Sequence, residues 1–485
     1  MIPFIFRNAS RWIFFAALAY APWAYGATTA ASIETTNWIL LAALVLWGAE
    51  LITAGRQPQC PTFLLLLVAA LLCVGGWMAL NAKSIYDSEF SFFVPVRNFV
   101  PPLTGSVDYA ISGAWIIRGG LLLGTMLFVS DLSQNSRWLL RLWYVIGLVG
   151  GSIAFLGLLQ KATGAQMIFW QPPPPPEFGV TTFFATYFYH GNAGAFLNLV
   201  WPLSAGLVIR SFTSRSQPGL RALWVIVFIL TIAAVLANTS RMAQLVAFLL
   251  LIAIGLHFGP ALLRKLSGAQ RSVAVAGAFA IVLALIALAQ ATHLEQPLNR
   301  WQSVSERIPA DARWQASRVA LSALPGAGFF GSGPGTFRVM FPSYNLQSGH
   351  PVPGTWRFLH QDYLQTVLEW GWLGSILWAL LFCGGIAIGI RRYNRYAAQG
   401  WMPRRRVLQP LAIVALAGVA LHAVVDFPFQ IESIQLYVAT YLGLCWGSSL
   451  WYPEVTRGPR EARGQRERPS LKSERNLLPR SESVS

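Results

Sequence analysis

Long apolar runs alternate with polar joints along the whole chain, and the length of those runs sets the first expectation. A hydrocarbon core about 30 Å thick takes roughly 20 apolar residues of helix to cross, and about twelve runs of that kind can be marked. They lie at 12–31, 38–54, 62–80, 111–130, 138–159, 193–209, 223–237, 243–258, 273–291, 371–390, 407–425 and 434–451. Within a bilayer a single segment can satisfy its own backbone only as a helix. The pattern therefore predicts an all-α polytopic membrane protein of about twelve transmembrane helices. A long polar loop, 292–363, separates the ninth run from the tenth and is expected to form a partly helical cap. Residues 1–452 then form one transmembrane helical domain that includes this loop, and 453–485 a basic, disordered cytoplasmic tail. An uncleaved first span is expected rather than a signal peptide.

Composition agrees: 55% of residues are hydrophobic, 11% are charged and mean hydropathy is +0.50, which excludes a soluble multi-domain protein. A formal charge of +17 could suggest nucleic acid. Its placement argues instead for membrane topology. Lys and Arg cluster in alternate joints, around Arg7 and Arg11, Arg56, Arg137 and Arg141, Arg210 to Arg221, Arg264 to Arg271, and 391–406. Short basic joints stay cytoplasmic. Both termini are thus expected inside, with the bilayer and not nucleic acid as partner. The opposite joints, 82–109, 161–191, 238–241, 293–363 and 426–432, then face outward. One of them carries five consecutive prolines, 172–176, read as a stiff spacer.

The candidate chemistry lies mostly outside. Cysteine spacing suggests neither a zinc site nor a disulfide, so no metal and no cofactor are expected. Arg118 lies inside the fourth run, where a charge must face protein, water, a phosphate or, by snorkelling, the headgroups. Arg241 marks an outer turn. Arg313 and Arg318 fall on one amphipathic segment, about 140° apart on a helix, so one small site would not take both. Glu50 and Asp131 read as ordinary interfacial residues. The stretch 325–337 is rich in glycine, yet lacks the flanking βαβ unit and the Gly-Lys-Ser/Thr ending of a nucleotide cradle. His360 precedes a helix start at Asp362, whose charge suits the positive helix end. An imidazole there can take a proton from a sugar hydroxyl, while guanidinium groups hold a diphosphate leaving group.

The sequence also resembles the O-antigen ligase/O-antigen polymerase superfamily of bacterial inner-membrane proteins. The resemblance rests on Ser240-Arg241, on Arg313 followed by Pro325-Gly326-Ala327-Gly328 and Gly333-Pro334-Gly335-Thr336-Phe337, and on His360-Gln361-Asp362-Tyr363 with Glu369-Trp370-Gly371. His422 to Asp426-Phe427-Pro428 and Gly191-Asn192-Ala193-Gly194 complete it, over roughly 192–446. It implies a metal-independent, inverting glycosyltransferase of the membrane-embedded C type. The donor would be a glycan on undecaprenyl diphosphate at the periplasmic leaflet, and the acceptor a glycolipid, a growing glycan or a protein hydroxyl. His360 would be catalytic; Arg241, Arg313, Arg318 and Arg118 would bind the diphosphate; Asp362, His422, Asp426 and Asn192 would support them. Arg318 stands where an uncharged residue is commoner in the family, and Gln361 where Asn is. His422 and Asp426 are expected to pair on one helix face. Two other classes stay open: a small-anion transporter with Arg118 on its path, and a non-catalytic polysaccharide-assembly protein. Among enzymes, a protein O-oligosaccharyltransferase shares the same donor chemistry.

Overall fold

The computed structural model describes residues 2–97, 99–172, 182–213, 216–265, 268, 311–349, 351–398 and 403–451. The expected span at 273–291, prolines 173–176 and the tail lie outside these residues.

Eight described helices are long and apolar enough to cross a membrane. They are α2 (Ala30–Ala54), α3 (Thr62–Leu80), α4 (Tyr109–Leu132), α5 (Ser136–Ala162), α6 (His190–Thr213), α7 (Pro218–Ala237), α8 (Arg241–Lys265) and α11 (Asp362–Ala398), each containing one of the expected runs. Three more runs correspond to α1 (Ile2–Trp23), α12 (Pro403–His422) and α13 (Glu432–Gly447). The polytopic helical class holds; eight of the expected runs meet the length and hydropathy of a span among the described residues, and the one at 273–291 lies outside them. The first run is also shifted. Helix α1 starts ten residues earlier than expected and ends at Trp23, because Tyr25 to Ala27 turn sharply with positive φ. Helix α2 then starts early, at a capping box in which Thr29 and Ser32 satisfy each other's backbone N–H.

Helix α6 is the hub. It is buried along nearly all its length and packs against α5, α7, α8 and α12. Between α3 and α4 a small hairpin, β1 (Ser84–Asp87) with β2 (Phe92–Pro95), pairs antiparallel and is the one departure from all-α architecture among the described residues. The described part of the large loop folds as α9 (Ala312–Ala323) and α10 (Phe337–Gln347), with their own small core around Ala316, Phe337, Phe341 and Leu359.

The glycine stretch gains a structural role here. Gly371 has φ +62° and breaks α11, which frees backbone groups on either side of it. Ser332 and Gly333 donate their N–H to the carbonyls of Leu368 and Glu369 at 2.9 and 2.8 Å, and Leu373 donates to Phe329 at 3.0 Å. A Cβ at Gly331 would sit 2.5 Å from the backbone of Glu369. Glycine is required because two main chains run in contact.

Glu50 and Asp131, expected to be ordinary interfacial groups, are instead buried partners of Arg56. Its guanidinium donates to Glu50 Oε2 at 2.6 Å and to Asp131 Oδ1 at 2.7 Å, while Trp47 Nε1 donates to Asp131 at 3.1 Å. Hydrophobic neighbours left these carboxylates no other way to stay charged. Removing the cation strands two buried anions. Arg56→Ala is expected to cost about 3 kcal/mol and to lower the unfolding midpoint of the detergent-solubilised protein by several degrees, as a thermal melt would check.

Candidate active site

Four stretches far apart in sequence meet at the start of α6. Asp426, 4% exposed, stands at the centre, in the turn between α12 and α13. His360 Nδ1 lies 3.0 Å from its Oδ1, the Tyr189 hydroxyl donates to its Oδ2 at 3.0 Å, and His422 Nε2 lies 3.6 Å from Oδ2. The Arg313 guanidinium lies over the Tyr189 ring, 5.6 Å from its centroid.

The electrostatics fix the protonation pattern. Burial alone would raise the Asp426 carboxyl, but the hydrogen bond from His360 and the approach of His422 outweigh it and hold the group below the ordinary carboxylate range. A carboxylate only accepts, so the ring nitrogen that meets it, His360 Nδ1, is the one that donates. Burial and the charge of Asp426 push Tyr189 upward, which keeps its hydroxyl protonated and donating. Burial would lower Arg313, yet Tyr189, Asp426 and Asp311 together raise it, so its charge is secure.

His360 and Tyr189 face a cavity of about 760 Å³, walled by Asn192, Trp356, Arg357 and Phe427 among others, with Thr28 to Ala30 at the start of α2 on one side. Rings brace the imidazole on several sides: Phe427 lies 4.7 Å away and Tyr189 5.8 Å away, both edge to face. Arg357 lies on the same wall, and burial together with the nearby charge of Arg338 lowers its guanidinium from the ordinary value.

The remaining sequence candidates divide into those near the cavity and those away from it. Asn238 Nδ2 donates to the carbonyl of His190 at 2.9 Å, which brings the turn before α8, and Arg241 at its first residue, beside the start of α6. Arg318 is exposed and lies over Trp314 at 5.8 Å, away from the cavity wall. Arg118 is buried 3.6 Å from Glu432 and donates to the carbonyl of Gln430 at 2.9 Å. Glu432 answers its charge, and it does not reach the cavity wall. Asp362 does more than suit a helix end: fully buried, it accepts from Phe429 N and Gln430 Nε2, both at 2.8 Å, and so anchors the turn that follows Asp426. One expectation changes in form. His422 ends α12 and Asp426 lies beyond it in the turn, so the pair forms across a helix end rather than along a helix face.

Tyr189 and Arg357 were not singled out from sequence. An aromatic or a basic residue at the edge of a span is ordinary, and only the folded chain puts these two on the wall with His360.

The arrangement is that of an imidazole held by a carboxylate next to fixed positive charge, in a multi-pass membrane protein. Residues 226–379 match the family model described as O-antigen ligase. That match spans 154 of the 485 residues and supports the resemblance to the O-antigen ligase/polymerase superfamily. A search of curated proteins finds no match to the chain. The matched segment holds Arg241, Arg313, Arg357 and His360; Tyr189, Asn192, His422 and Asp426 lie outside it.

Asp426→Asn tests the pair. An amide can donate to Nδ1 and so place the imidazole proton on Nε2, which is expected to lower turnover on the order of 10³- to 10⁴-fold, checked by transfer assays at equal protein abundance. The sign with pH also follows. Because the folded carboxyl is depressed, its stabilisation is fully present above the unfolded value of about 4 and is lost as pH falls below it. Melts at falling pH should show the wild type losing more stability than Asp426→Asn.

Proposed function

We propose that the protein transfers a glycan from undecaprenyl diphosphate to an acceptor hydroxyl at the periplasmic face of a bacterial inner membrane, as an O-antigen ligase or polymerase does. The observation that carries this reading is His360 bonded to the buried Asp426 carboxylate on the wall of a cavity beside Arg313. His360 Nε2 takes the proton of the acceptor hydroxyl. The oxygen attacks the anomeric carbon, the bond from that carbon to the diphosphate oxygen breaks with inversion, and the leaving group departs with the electron pair. Arg313, with Arg241 and Arg357, neutralises the charge that gathers on it, a role guanidinium groups fill without a metal. Asp426 stabilises the imidazolium that forms. A polyprenyl tail can stay in hydrocarbon while its head meets these side chains, so neither part is stranded in the wrong solvent.

Positive joints at the ends opposite the cavity support cytoplasmic termini. Helix α2 runs from the cavity at Thr29 to the Arg56 cluster, a length of about 37 Å, so site and basic joint sit at opposite faces. Against the anion-transporter reading, Arg118 lies 3.6 Å from Glu432 and off the cavity wall. Which acceptor is used, whether lipid A core, growing glycan or protein, is a matter of what the cavity admits.

Deletion of the gene, followed by analysis of surface glycans, is expected to remove chains from lipopolysaccharide, shorten them to one repeat, or strip them from glycoproteins. Unchanged glycans would overturn the reading. Complementation with His360→Ala or Arg313→Ala is expected to fail at normal membrane abundance, with residual transfer below about one hundredth of wild type for the histidine, read on glycan gels and immunoblots.

A further inference from the structure

Resting on the transfer reaction above, this inference names what the cavity recognises. Three buried asparagines stand near the start and middle of α6, and two have their amides satisfied. Asn198 donates from Nδ2 to the Ala243 carbonyl at 2.9 Å and accepts from Trp201 Nε1 at 2.9 Å. Asn238 donates to the His190 carbonyl at 2.9 Å and accepts from Ser240 N at 2.8 Å. Asn192 differs. It is 4% exposed and lies on the cavity wall, yet its Oδ1 has no hydrogen-bond partner among the described residues. A buried carbonyl oxygen left unpaired lowers stability, so Oδ1 is held here at a cost that a ligand donor would relieve.

The rest of the wall fits one kind of ligand. Phe188, Tyr189, Trp356, Phe358 and Phe427 supply flat apolar faces around His360. The C–H face of a pyranose ring packs against such rings, while its hydroxyls need directed partners that both donate and accept. A side-chain amide does both, and rotation about its last bond exchanges the two ends.

We propose that Asn192 hydrogen-bonds a hydroxyl of the sugar ring seated beside His360 and thereby selects which sugar reacts. The ring can belong to the donor, as the sugar next to the diphosphate, or to the acceptor. The same amide serves either. A site built around such a bond discriminates strongly against a ring that lacks the hydroxyl, since the amide is then left buried and unpaired.

The test uses the full chain in lipid nanodiscs, with undecaprenyl-diphosphate glycan extracted from the producing bacterium as donor and the envelope fraction of a deletion strain as acceptor. Asn192→Leu and Asn192→Ala are compared with wild type for thermal stability and for KM with each substrate in turn. Asn192→Leu is expected to melt at or above the wild-type temperature and to raise KM at least tenfold for one substrate, with kcat changed less. The substrate whose KM moves identifies the source of the ring. Unchanged KM values in both variants overturn the inference, and so does loss of stability in both with only kcat reduced, which marks a structural residue. Absence of any transfer by wild type is a different result: it removes the proposed reaction and this inference with it, whereas a working wild type with indifferent variants removes only the inference.

Discussion

A carboxylate buried at one end of a helical bundle is the constraint around which the candidate site is built. Asp426 cannot remain charged there without donors, and the chain supplies them from Tyr189 ahead of α6 and His360 ahead of α11, with His422 at the end of α12 lying 3.6 Å away. Arg313 adds a cation from the cap. Each of these stretches is held elsewhere by different contacts, so the anion sets where they converge. A second layer holds the turn itself: Asp362 bonds Phe429 and Gln430, and Arg118 bonds Gln430 from inside α4. The imidazole therefore inherits its orientation from the packing of several helices rather than from its own loop.

The cap is fixed to the bundle by main chain rather than by side chains. Where α11 breaks at Gly371, the segment 328–333 supplies the missing hydrogen bonds, so cap and span share one backbone network. Satisfying backbone in this way is what permits an interrupted helix close to a bilayer. It also sets the short first part of α11, which begins two residues after His360, at a defined angle to the rest.

Much of the architecture was legible because bilayer crossing is a demand on length and polarity, which single residues report directly. The helices at Thr62–Leu80 and Pro218–Ala237 each enclose an expected run closely. The shift at the first helix was not legible, since the break rests on positive φ at Tyr25 and Ala27, residues that carry no turn signal. His360 and Arg313 drew notice as a titratable group and a fixed charge in a polar loop. Tyr189, Arg357 and the bond from His360 to Asp426 depend on contacts across as many as 237 residues of sequence, which local patterns do not encode. The buried Arg56 cluster was missed for the same reason: Glu50 and Asp131 each look interfacial until the third partner is seen.

The site does not respect the boundary of the recognisable domain. Arg241, Arg313, Arg357 and His360 lie within 226–379, while Asp426, Tyr189 and Asn192 come from either side. Exchange of only the recognisable segment would import His360 without the carboxylate that it bonds. On the proposed reading, the unit that must stay together is therefore longer than the segment that sequence comparison recognises.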